Sequence, residues 1–233
     1  MTNNPSTNDN QQQTRPNGTH IVVLLDRSGS MSSIVNDVIG GFNTFLADQQ
    51  ANGPDARVSI ILFDSQDPQE VVVWGAPITE AVALDRTSYV PRGGTPLLDA
   101  TGLAIGRVMV DQGAREATGL RKDDVVFVTV TDGEENQSRE YTLEKVRQLI
   151  AERTADGWQF VFLSAGLDAY ADAARFGYDQ GSTSAWQATG RSSRAAMASM
   201  SRATSNFRDK KRRGMDADAK DFFETGKDGE ENS

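Results

Sequence analysis

Two short, nearly continuous apolar runs constrain this chain most: Ile21-Val22-Val23-Leu24-Leu25 and Val125-Val126-Phe127-Val128-Thr129-Val130. Runs of this length without polar alternation read as strands buried on both faces, the signature of a parallel sheet covered by helices. Each run stops in a polar loop that carries a carboxylate: Asp26-Arg27-Ser28-Gly29-Ser30 after the first, Thr131-Asp132-Gly133 after the second. In such sheets ligands bind in the crevice outside the carboxyl ends of the strands. A carboxylate and two hydroxyls at alternate positions of one turn form a set of hard oxygen donors. That set suits magnesium, manganese or calcium rather than zinc or copper. The competing reading of the same turn is a plain strand-to-helix link, with Ser32 or Ser33 capping the next helix.

The rest of the chain alternates strands with helices. After Ser30, the apolar positions Ile34, Val35, Val38, Ile39, Phe42, Phe45 and Leu46 recur at three- and four-residue intervals, an amphipathic helix that Asn52-Gly53-Pro54 ends. Residues 57–63 and 70–74 read as two strands. The short turn between them permits only a hairpin, which makes the pair antiparallel and puts one member at the sheet edge. Pro91-Arg92-Gly93-Gly94-Thr95-Pro96 then leads into a helix over 97–112, with Pro96 expected at its first position and Thr95 as its N-cap. A helix at 141–155, a strand at 158–163 and a short helix at 168–176 complete the pattern. The fold class is therefore α/β: a doubly wound, Rossmann-like open sheet, mostly parallel with one antiparallel edge strand and helices on both faces.

Residues 1–17 hold almost no apolar side chains and are expected to form a disordered leader, with the folded domain at 18–180. Residues 181–213 are expected to be a helical extension, in which Trp186, Ala195, Met197, Met200 and Phe207 are packing candidates. Residues 208–213 are a basic run, and its Lys210-Lys211-Arg212-Arg213 reads as a solvated helix end where the macrodipole favours cations, in preference to a nucleic-acid contact. Residues 214–233 are expected to be an acidic, disordered tail; from Asp216 onward there are seven acidic and two basic residues. A net charge of -9 disfavours non-specific binding to nucleic acid or anionic membrane. With no cysteine there is no disulfide and no thiolate metal site. No apolar run approaches the roughly 18 residues needed to span a bilayer, and no signal peptide is evident, so a cytoplasmic location is expected.

Three loops thus carry hard oxygen ligands in chain order: Asp26, Ser28 and Ser30; then Thr95; then Asp132. This arrangement resembles the metal-ion-dependent adhesion site (MIDAS) of von Willebrand factor A (VWA) domains, which consists of D-x-S-x-S, a Thr from a second loop and an Asp from a third. Gly-Gly-Thr-Pro-Leu and Thr-Asp-Gly look like the usual bacterial forms of the later elements, and Leu-Asp-Arg-Ser-Gly-Ser-Met resembles stand-alone intracellular bacterial members. The resemblance covers roughly residues 19–176, and all five ligand positions match. It implies a magnesium site, manganese or calcium being the alternatives. In that site Ser28 and Ser30 bind directly, Thr95 binds directly or through water, and Asp26 and Asp132 act mainly through waters. It also implies an adaptor module that captures an Asp or Glu of a partner protein, such as an AAA+ ATPase or a stress-response complex.

Two other classes compete with this reading: a magnesium-dependent phosphatase or hydrolase, and a scaffold that binds through its C-terminal helix. The chain has no G-x-x-x-x-G-K-[ST] and no G-x-S-x-G. Its only histidine, His20, lies at the opposite end of the first strand from Asp26 and reads as a strand-edge side chain. An enzyme is therefore not expected. Glu134 and Glu135 read as exposed charges beside the site. Arg27 and Arg92 lie in the site loops, either to meet an anionic partner or to face solvent.

Overall fold

The sheet is built outward from β1 (Thr19–Asp26), all eight of whose residues are buried. The computed structural model describes residues 18–132, 135–165, 168–186, 190–217 and 222–223, the side chains of 190–194 excepted. The expected leader, Glu134 and most of the expected acidic tail lie outside the described residues. On one flank β1 pairs in parallel with β2 (Ala56–Phe63), which carries the antiparallel edge strand β3 (Glu70–Pro77). On the other it pairs in parallel with β4 (Asp124–Thr131), followed by β5 (Gln159–Ser164) and β6 (Thr183–Ala185). The strand order is β3-β2-β1-β4-β5-β6. The hairpin and edge strand are as the spacing predicts. Three-residue β6 was absent from the sequence reading, because Thr-Ser-Ala has neither an apolar run nor an alternation to mark it.

Alternation along β1 divides the interior in two. Ile21, Val23 and Leu25 face a core shared with α1 (Val35–Ala51) and α5 (Gly190–Arg212). Val22 and Leu24 face a second core with α2 (Leu97–Ala117), α3 (Leu143–Ala155) and α4 (Ala169–Phe176). Each fully buried aliphatic side chain contributes about 1.5–3 kcal/mol, so the central strand is fixed in register from both sides. His20 is not at an edge. It is fully buried, with Nε2 2.8 Å from Ser59 Oγ and its ring edge-on to Trp74. Burial, then the Arg57 charge, holds it down at about 3, well below the ordinary imidazole value.

The C-terminal segment packs into the same structure. Helix α5 lies on α1 where Gly41 leaves room; a Cβ there would stand 2.7 Å from Met197 Cγ. Met197, Met200 and Phe207 are buried as expected, whereas Ala195 is exposed and Ala196 and Ala203 take its place. Phe222 and Phe223, from the stretch expected to be a disordered tail, are buried in the same core, and Phe223 N–H donates to the Gly181 carbonyl at 3.1 Å.

Two members of the basic run are not solvated, while Arg213 at its end is exposed as expected. Arg208, with no side-chain exposure, donates to the carbonyls of Gln49 and Gly53 at 2.7 Å each and pairs with Asp55 at 2.7 Å. Arg212 donates to the Asn52 carbonyl at 2.6 Å and also pairs with Asp55. The last carbonyls of a helix have no partner within it. At the end of α1 these two guanidiniums supply one, across more than 150 residues of sequence.

Burial alone would raise the Asp55 carboxyl, but hydrogen bonds from Arg212 and Arg208, with their charges, bring it down to about 2. A carboxyl held lower in the folded chain than in the unfolded one stabilises above its unfolded value, and that contribution fades as pH falls through the folded value. Arg208→Ala is accordingly expected to cost about 3 kcal/mol near neutral pH. The gap from wild type should narrow as pH falls from about 4 toward 2. Urea midpoints of both proteins across that range measure it.

Candidate functional site

The sheet order reverses between β1 and β4, and the chain leaves these two strands toward opposite faces: to α1 from β1, to α3 from β4. Diverging loops open a crevice at that point. Leu25 pairs with Val130, so Asp26 and Thr131 stand side by side at its floor.

Asp26 is fully buried. One carboxylate oxygen accepts from Ser28 N–H at 2.7 Å and the other from the Thr131 hydroxyl at 2.6 Å. A hydroxyl–carboxylate chain continues across the crevice. Ser28 Oγ lies 3.0 Å from Ser30 Oγ, and Ser30 Oγ donates to Asp132 Oδ1 at 2.8 Å. Burial raises the Asp26 carboxyl to about 6 despite the hydrogen bonds from Thr131 and Ser28. Burial likewise raises Asp132, with the Ser30 hydroxyl pulling the other way. Both shifts have one origin: two carboxylates are withdrawn from water and hydroxyls, which carry no charge, are their partners.

The Thr95 loop is brought in by backbone hydrogen bonds. Arg92 N–H donates to the Arg27 carbonyl at 2.8 Å and Gly29 N–H to the Gly93 carbonyl at 3.0 Å, joining the Thr95 loop to the first loop. Asn136 closes the circle. Its N–H donates to the Thr95 carbonyl at 3.1 Å, and its side-chain oxygen accepts from Thr95 N–H at 3.0 Å. Thr95 is buried, and no described residue hydrogen-bonds its hydroxyl. Four of the predicted site residues thus share one hydrogen-bonded chain, and the fifth sits in the loop stitched to it.

Several flanking residues play other parts than expected. Thr95 does not cap α2, because Pro96 occupies the N-cap position and no side chain of that segment caps the helix. The role falls to the β4–α3 loop. Glu135 accepts from Leu98 N–H at 2.9 Å, and Ser138 Oγ accepts from Asp99 N–H at 3.1 Å. In return Asp99 accepts from the amides of Arg139, Glu140 and Tyr141. Glu135 is therefore a helix cap rather than an exposed loop charge. Ser32 and Ser33 do not cap a helix either; their hydroxyls donate to the carbonyls of Gly29 and Ser30. Arg27 is buried and turned away from the crevice, paired with Asp64 at 2.6 Å and with Glu70. Arg92 pairs with the same two carboxylates at 3.0 and 3.2 Å.

Among the described residues no cluster of three or more His, Cys, Asp or Glu stands ready to hold a metal ion. The donor set here is of another kind, two carboxylates and three hydroxyls. That chemistry fits a hard divalent cation, which tolerates neutral oxygen ligands and water. The residues present therefore fit the group that the sequence motif implies.

Comparison with known proteins agrees with this topology. The family model of the von Willebrand factor type A domain matches residues 20–206. No curated protein matches in sequence. Among solved structures, the manganese-loaded TRAP protein of Plasmodium vivax is similar, with a TM-score of 0.54 and 14% identity over 78% of this chain and 72% of that one. Proximal thread matrix protein 1 of the mussel byssus, with a zinc-occupied MIDAS motif, gives a TM-score of 0.56 and 12% identity over 82% of this chain and 46% of its own. The open conformation of the pilus adhesin SpaC from Lactobacillus rhamnosus GG gives 0.58 and 13% over 85% and 30%. The chain spans less than half the length of the byssus protein and under a third of SpaC.

The cap supplied by Glu135 generates a direct test. Glu135→Ala strips the acceptor from three amides, those of Leu98, Gln137 and Ser138. The expected cost is about 1 kcal/mol, the usual worth of a helix N-cap, read as a lowered midpoint in urea or a lowered Tm.

Proposed function

Since the chain belongs to the von Willebrand factor type A domain family, we propose that it is a divalent-cation-dependent protein-binding module rather than an enzyme. Ser28, Ser30 and Thr95 are the direct donors in this reading, and Asp26 and Asp132 act mainly through bound waters. The observation that carries it is the hydroxyl–carboxylate chain of the crevice, in which buried negative charge has no guanidinium partner among the described residues, Arg27 being paired elsewhere. A bound magnesium ion, with manganese or calcium as alternatives, would supply Lewis acidity toward a carboxylate oxygen.

The chain's own residues set the terms of capture. Ser28 and Ser30 contribute oxygen without charge, so they leave a cation in want of one further strong donor, and an Asp or Glu of a partner protein has the right chemistry. Asp26 and Asp132 provide the negative field and accept hydrogen bonds that orient water. Thr95 stands on a loop held by hydrogen bonds to its neighbours, so capture that shifts this loop selects between two arrangements of one hydrogen-bonded unit. The manganese of the TRAP structure and the zinc in the byssus protein's MIDAS support the reading by likeness of fold. A stand-alone bacterial adaptor in the cytoplasm, partnered with an AAA+ ATPase or a stress-response complex, is the setting the motif forms favour.

Pull-down from a lysate of the source cell, in magnesium and in EDTA, with Thr95→Ala alongside, tests this. The expected outcome is a partner retained by wild type in magnesium and lost in EDTA and with Thr95→Ala. Retention under all three conditions contradicts the proposal.

A further inference from the structure

At the turn between β2 and β3 four charges meet, Asp64 and Glu70 with Arg27 and Arg92. Asp64, fully buried, is their hub. Its Oδ1 accepts from Gln66 N–H at 2.7 Å and Asp67 N–H at 3.2 Å, which fixes the turn. Its Oδ2 accepts from Arg27 Nε at 2.6 Å and Arg92 Nε at 3.0 Å. Glu70 Oε2 receives the other ends of the same two guanidiniums. Two arginines and two carboxylates thus close a neutral square.

The two arginines come from different site loops. Arg27 sits between Asp26 and Ser28, and Arg92 lies three residues before Thr95. The neighbouring Ser65 adds backbone contacts to the Thr95 loop: its Oγ accepts from Gly94 N–H at 2.9 Å, and its N–H donates to the Gly94 carbonyl at 3.0 Å. The approach is close enough to need glycine. Gly93 has φ +67°, and a Cβ there would stand 2.5 Å from Ser65 Oγ.

We propose that Asp64 and Glu70, acting through Arg27 and Arg92, are positioning residues that hold the Thr95 loop in register with Ser28 and Ser30. This deepens the proposed function and rests on it for the meaning of the register, though the clamp itself does not. Arginine suits the task because its planar fork engages two carboxylates at fixed separation, which a lysine ammonium cannot do. The β2–β3 turn becomes a fourth element of the site, one that touches no captured group.

Charge alone and position make opposite predictions for Arg92→Ala, and this separates them. Arg92→Ala removes a positive charge and Glu70→Gln a negative one. If the square acted only through its field, the first would tighten divalent-cation binding and the second would weaken it. As a clamp, both weaken it, by about tenfold as for residues that orient metal ligands through a hydrogen bond. Arg92→Lys keeps the charge but not the fork, so as a clamp it should stay weakened, whereas a field effect would leave it at wild-type affinity. The side chains of Arg92 and Glu70 are both more than a third exposed, so the substitutions spare the core.

The experiment measures manganese(II) affinity by electron paramagnetic resonance of the free ion and, in parallel, amide hydrogen exchange without metal. It uses wild type, Arg92→Ala, Glu70→Gln, Arg92→Lys and, as control, Arg86→Ala, whose guanidinium bonds Asn36 instead. The expected result is weaker manganese binding in the first two variants and about tenfold faster exchange at 92–95, with exchange along β1 unchanged. Opposite signs in affinity, or unchanged exchange at 92–95, overturn the proposal. Faster exchange in a chain whose wild type binds no manganese leaves the clamp standing and removes the metal reading instead.

Discussion

Everything at the crevice depends on a carboxylate kept out of water. Asp26 ends the central strand, fully buried, with Thr131 and Ser28 as its hydrogen-bond donors. Burying a charge without a counter-charge is costly, and hydrogen bonds from neutral groups offset only part of that cost, so burial raises the Asp26 carboxyl despite them. The sheet enforces the arrangement. With β1 covered on both faces and paired on both edges, Asp26 has nowhere else to go. The adjacent Arg27 could neutralise it but is drawn away by Asp64 and Glu70. The fold therefore keeps two carboxylates and neutral hydroxyls together beyond the ends of β1 and β4.

A crevice is useful only if its walls keep station, and here the walls are loops. Three sets of long-range hydrogen bonds replace the rigidity that a helix or strand would have. Gly29, Arg92 and Asn136 join the loops to one another. Glu135, Ser138 and Asp99 lock the β4–α3 loop onto the start of α2. Asp64, Ser65 and Glu70 lash the Thr95 loop to the hairpin turn. Farther away, Arg208 and Arg212 seal the end of α1, the helix that follows the first loop.

How much of this was legible follows from the range of the interactions. Strands buried on both faces announce themselves as apolar runs, so β1, β4 and the doubly wound order were readable, as was the hairpin from its short turn. The candidate site was readable as a donor set, because Asp26, Ser28, Ser30, Thr95 and Asp132 each follow a recognisable boundary. What holds those donors was not. Asp64 lies in a polar turn like any other, and Glu135 becomes a cap only because the fold brings it to Leu98. Arg212 reads as solvated until its acceptor arrives from the end of α1. A residue's type and its neighbours in sequence describe its chemistry, whereas its partner across the fold decides its role.

Calorimetric titration of manganese(II) into metal-stripped protein, wild type beside a Ser28→Ala, Ser30→Ala double variant, tests the central claim most directly. A single-site binding heat in wild type that disappears in a folded double variant is the predicted result. No heat in wild type, or the same affinity without the two hydroxyls, would contradict the assignment of the crevice as a cation site.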